Sequence, residues 1–361
     1  MLLNSLWIVP ILGLLILVHE LGHFFAARMV GIRVEEFGLG LPPRLYGYQA
    51  KSGVIYSLNW IPFGGFVKMY GQDDLRVDGG AAYGEDSFIS KTPLQRAFVL
   101  VAGVIMNLLL ALLIFTIVAV GHGRGVTEVS IGQVVADSPA AAAGWQPNDK
   151  LISVAGEPVK SLNQLRDLIE QYAGREMPVV LDRGGQQVST VVIPRQNPPE
   201  GQGRTGVTLQ SNTTRYQRVP IWRAPVEGVK LAWETFTLQI QGLRQLIAGQ
   251  FKPSDLAGPI GMGQLTGEIV QRSTIPLWVT LANLAGFLSL NLFILNLLPF
   301  PALDGGRLVF VILEMLRGGR KIAPEREGMV HFVGLMVLLT LMFVIGFSDI
   351  MRLVRGDSFI P

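Results

Sequence analysis

His19, Glu20 and His23 form an H-E-x-x-H pattern within His19-Glu20-Leu21-Gly22-His23. On a helix, residues four apart share a face, so both imidazoles can reach one metal ion. The glutamate between them is placed to handle a water bound to that ion. In a soluble helix the pattern arises by accident often enough to prove little. Here it lies in an apolar run from Leu2 to Ala27 with no Lys or Arg before Arg28. An acidic side chain at that depth costs at least ~2.5–3.5 kcal/mol on insertion scales, and ionisable groups inside spans are functional by default. The plain alternatives are a satisfied polar cluster between helices, or a motif lying just outside the membrane.

A catalytic zinc wants three protein ligands and one open position. The chain has four histidines and no cysteine, so thiolates are excluded and each imidazole counts. His122 follows the second apolar run, on the far side from the motif. His331 opens the fourth and stands outside any motif, though on the motif's side. Asp304 is the stronger third ligand. It sits in Asn296-Leu297-Leu298-Pro299-Phe300-Pro301-Ala302-Leu303-Asp304-Gly305-Gly306, directly after the third run. Prolines open the helix there, and paired glycines permit close backbone approach.

Four runs are long enough for the ~20 residues that span a bilayer: 2–27, 94–120, 276–298 and 330–347. The first lacks the positive n-region of a signal peptide and reads as a retained span. Lys and Arg collect between spans one and two (Arg28, Arg33, Arg44, Lys51, Lys68, Arg76, Lys91, Arg96) and in 307–328. The positive-inside rule makes these segments cytoplasmic and sends the termini and residues 121–275 outside. Hydrophobic residues make up 49% of the 361, charged ones only 16%, and mean hydropathy is +0.40. A soluble domain carries about 25% charge, so the chain is part membrane and part soluble module. Net charge is only +3 and no Lys/Arg-rich run exists, which excludes a nucleic-acid partner.

Between the first two spans, Val54, Tyr56, Leu58 and Trp60 alternate, Gly64-Gly65 interrupts, and Phe66–Met69 resumes. This predicts a hairpin or short edge strands within 54–70. Gly71–Asp86 reads as a polar loop. Strands are expected at 131–135, 151–154, 177–181 and 187–193, with a helix over 162–172 and a linker at 197–204. Residues 226–248 are amphipathic, suited to the membrane surface or to packing on the spans.

These motifs resemble those of the site-2 protease family. The likeness rests on H-E-L-G-H at 19–23, F-G-L-G at 37–40, W-I-P-F-G-G-F-V-K-M-Y-G at 60–71, N-L-L-P-F-P-A-L-D-G-G at 296–306, and A-D-S-P-A-A-A-A-G-W-Q-P-N-D-K-L-I-S-V-A-G at 136–156, the last similar to a PDZ domain. The resemblance implies a zinc-dependent intramembrane endopeptidase, with Zn2+ on His19, His23 and Asp304, Glu20 as general base, and Asn296 orienting substrate or stabilising the transition state. It implies a polytopic α-helical membrane protein of four transmembrane helices, a membrane-associated β-hairpin and one inserted PDZ-like α/β domain. The domains expected are 1–121 (core, first half, with a re-entrant β region at 34–70), 122–205 (PDZ-like), 206–275 (linker and amphipathic helix) and 276–361 (core, second half). The implied substrate is a membrane-anchored regulator such as an anti-sigma factor, cut in a bacterial inner membrane with the active site towards the cytoplasm and the PDZ-like domain outside. Relatives often carry Gly-Pro-x-x-Asn early in span two. Here Gly103-Val104-Ile105-Met106-Asn107 lacks the proline, and Asn107 either faces the site or bonds helices together.

Two other classes stay open at this stage. A non-catalytic membrane PDZ scaffold has no use for Glu20 beside a metal pair. A metal transporter predicts inverted repeats, and the sequence has no long repeat.

Overall fold

The computed structural model describes residues 2–72, 84–159, 162–199, 201–250 and 256–359. The chain divides into two compact units, one of Met1–Gly121 with Pro220–Pro361 and one of His122–Val219.

In the first unit the opening run splits into α1 (Leu2–Ser5) and α2 (Ile8–Met29). Tight turns at Leu6 and Trp7, bonded back to Leu3 and Asn4, separate them. Pro10 is tolerated because the first turn of a helix has no use for its missing N–H. Next come β1 (Val34–Gln49), β2 (Ile55–Met69) and α3 (Pro93–Gly121). The expected hairpin inside 54–70 does not form. β2 runs through Gly64-Gly65, and its partner is the long β1. Leu39 faces Gly65 on one side and Leu58 on the other, so residues 36–39 are flanked by both ends of β2, while 44–49 cover the far side of 55–59. Of the four alternating residues, Tyr56, Leu58 and Trp60 share one face, which is exposed, while Val54 precedes β2 and is buried. Ser57 and Asn59 are the buried ones, and Asn59 Nδ2 donates to the carbonyls of Leu39 and Gly40. Over residues 56–60 β2 keeps its polar groups inside and its apolar ones out, whereas Val34, Phe37, Val67 and Met69 at the other end of the sheet are buried. Of the expected 71–86 loop, residues 73–83 lie outside the described residues.

The second unit holds β3 (Arg124–Val134), α4 (Pro139–Ala142), β4 (Lys150–Val154), β5 (Glu157–Pro158), α5 (Leu162–Gln171), β6 (Met177–Arg183), β7 (Gln186–Val192) and β8 (Val207–Gln217). The sheet order is β7-β6-β4-β3-β8, with β5 on β4. Ile131, Leu151, Leu165, Met177 and Leu181 fill its core. Ser138 caps α4 by accepting from the Ala141 N–H. Asp149 is buried and takes a two-pronged bond from Arg183, at 2.8 and 2.7 Å, plus the Gln146 N–H at 2.9 Å. The unit extends past residue 205, where sequence ended it. β8 returns across the Pro/Gly-rich 197–204 stretch to pair along β3 from Val134–Val207 to Arg124–Gln217. Long-range pairing of that kind leaves no local sequence mark.

The chain then re-enters the first unit as α6 (Ala224–Ile247), α7 (Pro259–Arg272), α8 (Leu277–Leu297), α9 (Asp304–Leu316) and α10 (Pro324–Arg355). Ala232 of α6 packs with Ala111, Phe115 and Leu290, so within this unit the amphipathic helix rests on α3 and α8. α7 was hidden from sequence by Gly258, Gly261, Gly263 and Gly267. Its N-terminus is met by Asp349 of α10, which accepts the Gly261 N–H at 2.8 Å. Among the described residues, four helices are long and apolar enough to cross a membrane: Leu3–Met29, Pro93–Gly121, Leu277–Leu297 and Glu325–Arg355. The fourth exceeds its apolar run at both ends because polar turns continue the helix until Gly356, at φ 74, stops it.

Candidate metal centre

α2 carries His19, Glu20 and His23 in its second half, and one turn of helix sets both imidazoles against α3. The crossing is close because neither helix has a side chain there. A Cβ on Gly22 would stand 2.6 Å from the Ala102 carbonyl oxygen, and one on Gly103 would overlap the His23 ring. α3 supplies the bonds that orient the rings. His23 Nδ1 lies 2.8 Å from the Val99 carbonyl and His19 Nδ1 lies 3.3 Å from the Asn107 amide. Asn107 is wholly buried, and its own carbonyl accepts from Ser289 of α8. Asn107 therefore faces the site and also ties helices together.

Asp304 arrives from elsewhere in the sequence as the first residue of α9, where the helix dipole favours an anion. Gly305 and Gly306 allow the turn that delivers it. A Cβ on either would strike the carbonyls of Leu298 or Phe300. Asp304 Oδ2 sits 3.0 Å from His19 Nε2 and 3.2 Å from His23 Nε2, and those two nitrogens are 3.1 Å apart.

A carbonyl only accepts, so His23 Nδ1 carries a ring proton toward Val99, and in the neutral ring its Nε2 is a bare lone pair. That lone pair points at a carboxylate oxygen and at the other imidazole nitrogen. Three electron-rich atoms about 3 Å apart in a buried place repel one another unless a cation sits among them. Tetrahedral zinc, with bonds of about 2.0–2.1 Å, wants donors roughly 3.3 Å apart. The donor set fits zinc in number, type and spacing. It also fixes the amide of Asn107: with His19 Nε2 committed to a metal, Nδ1 bears the proton and the amide oxygen should face it.

Glu20 is half-buried beside this group, its carboxylate reached by the Val67 backbone N–H. Gly65 of β2 abuts it, since a Cβ there would lie 3.2 Å from Glu20 Cγ. The end of β2 thus runs alongside the face of α2 that carries Glu20.

The other residues singled out by sequence are not drawn together. Asn296 is half-buried in the last turn of α8 and outside the three-donor cluster. His122 belongs to the other compact unit, its ring tilted against Tyr216 with centroids 4.0 Å apart. His331 is no ligand. Its Nδ1 accepts the Ala302 N–H at 3.0 Å, two residues before Asp304. Sequence had no means of finding Val99, Val67 or Ala302, because their contributions are backbone atoms.

A family profile, Peptidase family M50, matches residues 7–341. The chain belongs to that family. The M50 chain is 29% identical to the zinc metalloprotease RasP of Oceanobacillus iheyensis over 94% of its own length and 97% of that protein. It is equally similar, at 29%, to the RasP of Geobacillus kaustophilus, over 95% and 97%. Among solved structures, the PDZ domain of an SdrC-like protein of Listeria monocytogenes aligns with 22% of this M50 chain and 85% of that one, at 22% identity. Its TM-score of 0.21 is too low to establish a fold. The M50 chain is a membrane zinc metalloendopeptidase of the site-2 protease type.

Proposed function

We propose that His19, His23 and Asp304 hold the zinc, that Glu20 is the general base, and that the enzyme cuts transmembrane segments of membrane-anchored regulatory proteins. The observation behind this reading is the meeting of two imidazole nitrogens from an apolar helix and a carboxylate oxygen, 3.0–3.2 Å apart. Zinc held there supplies Lewis acidity toward water and the scissile carbonyl. Glu20 takes a proton from the attacking water and passes it to the leaving amine nitrogen. Asn107 and the Val99 carbonyl hold the imidazoles in place. Asn296 serves at the substrate, orienting it or steadying the developing charge.

A transmembrane helix resists cleavage because its amides are already bonded within it. It must unwind locally, and an unwound segment can add to an exposed strand edge. Residues 65–69 pair with β1 on one side and run beside Glu20 on the other. This edge is the proposed seat for substrate. The exposed apolar face of residues 56–60 supports a membrane-re-entrant β element, with Leu58 and Trp60 toward lipid. Charge placement favours a bacterial inner-membrane orientation with the site towards the cytoplasm and the PDZ-like unit outside. An anti-sigma factor is the kind of regulator this arrangement suits.

The PDZ-like unit has a second activity in view, peptide capture. β8 is an edge strand, and with α5 it frames a cavity of about 470 Å³ lined by Arg166, Ile169, Arg204, Val207 and Leu209. The cavity suits a peptide strand and supports a filter for substrate. A scaffold lacking catalysis leaves Glu20 unexplained.

Glu20→Gln in the full chain tests the reading. Zinc content should stay at the wild-type level while cleavage of a membrane-anchored reporter falls on the order of 10²–10⁴-fold. Cleavage that survives in a zinc-loaded Glu20→Gln enzyme rejects it. Membrane stubs accumulating in a strain carrying that variant would name the substrates.

A further inference from the structure

Asp304 reaches the imidazoles at the end of a tight turn, and that turn is gripped from α10. Within the turn, Phe300 N–H bonds back to the Leu298 carbonyl and Leu303 N–H to that of Phe300. Ala302 lies between at φ +78, a left-handed conformation that crowds the Cβ of any residue but glycine. Its N–H points out of the turn to His331 Nδ1, 3.0 Å away. One turn further along α10, on the same face, Gly334 has no side chain, and a Cβ there would overlap Pro301. Elsewhere α10 is largely exposed, with Val333, Val337, Leu341 and Phe343 all outward. Its seat on the turn is one of its few close contacts.

We propose that His331 is a positioning residue for the metal centre. By accepting the Ala302 N–H it holds the turn in the strained form that brings Asp304 Oδ2 to His19 and His23, so metal affinity depends on α10 being seated. This rests on those three residues being the metal site. The acceptor role puts the ring proton of His331 on Nε2, the nitrogen nearer Glu327 Oε1 at 3.9 Å. Asparagine can present its amide oxygen where Nδ1 stood. Glutamine places its amide where Nε2 stood and cannot.

The test is zinc affinity of the full chain in detergent, measured by competition with a chelator. His331→Asn should stay within about threefold of wild type, while His331→Gln and His331→Leu should each bind at least tenfold more weakly, the range expected when an outer partner of a metal ligand is lost. Glycine adopts positive φ freely, so adding Ala302→Gly to His331→Leu should restore most of the loss. Equal weakening by Asn, Gln and Leu with no recovery from Ala302→Gly would mean that the ring merely packs, as it does against Phe310 at 5.3 Å, and would overturn the proposal. Wild-type affinity in His331→Leu would overturn it too, provided Asp304→Ala loses zinc. Unchanged affinity in Asp304→Ala would remove the metal site itself. If His331→Leu fails to fold, the Asn and Gln variants carry the comparison.

Discussion

His19 is held from both ends: Nδ1 meets Asn107 of α3 at 3.3 Å and Nε2 meets Asp304 of α9 at 3.0 Å. A ring fixed in this way cannot swing from the donor cluster, and its tautomer is set by the amide behind it. Asn107→Leu should lower zinc affinity about 10–100-fold, the usual cost of losing such a partner. Asn107→Asp retains an oxygen facing Nδ1 and should stay closer to wild type. Chelator competition on the purified chain measures both. Equal affinity in Asn107→Leu would make Asn107 a helix contact only, through the Ser289 bond to its backbone.

Gly103 should tolerate nothing larger. Gly103→Ala places a methyl in the His23 ring, so His23 must move or the two helices must part. We expect loss of zinc at stoichiometric metal. Gly13→Ala on the same α2 meets nothing within 4 Å and is the control. It should leave zinc content unchanged and lend α2 slight support, since alanine is the better helix former by about 1 kcal/mol.

Val67→Pro separates substrate seating from metal binding. Its N–H reaches Glu20, so proline removes a donor at the proposed substrate edge. Cleavage should fall at least about tenfold, the worth of one lost bond of about 1.4 kcal/mol, with zinc content intact. Loss of zinc in this variant would undercut the edge-strand reading.

Asn296→Ala should lower kcat and leave zinc affinity alone, because Asn296 stands apart from the donor cluster. A fall in zinc content instead would assign it a structural part in the turn before Asp304.

Acid should loosen the inserted α/β unit. Burial raises the pKa of Asp149, but the Arg183 fork and the Gln146 N–H outweigh it and leave the carboxyl below its usual value. A lowered folded pKa means stability that is full above the unfolded value of about 3.9 and lost as pH falls through the folded one. Hydrogen exchange of β4 and β6 amides in the full chain should accelerate across that window. Asp149→Asn should cost the unit about 1–3 kcal/mol at neutral pH and flatten the acid response. An unchanged acid limb in the variant would place the titration elsewhere.

Local chemistry was legible wherever it depended on spacing within one element. H-E-x-x-H implied two imidazoles on one helix face, four apolar runs implied four spans, and strand alternation placed most of β4, β6 and β7 within a residue or two. The same rule sorted Tyr56, Leu58 and Trp60 onto one face yet could not say that this face is exposed, since period reports which residues share a side and not what lies against it. β8, α7 and the turn at Ala302 were illegible for a related reason. Their stability comes from pairing, capping and contact with residues far along the chain, such as Arg124–Val134, Asp349 and His331.

The sequence by itself determined the candidate donor types, the motif and the number of long apolar helices, because helical period and side-chain chemistry are properties of short stretches. Only the tertiary structure decided that Asp304 meets the imidazoles, that Asn107 and the Val99 carbonyl aim them, and that His331 grips the turn instead of the metal. Those relationships join residues from 29 to 285 positions apart, and only packing fixes the distance between them.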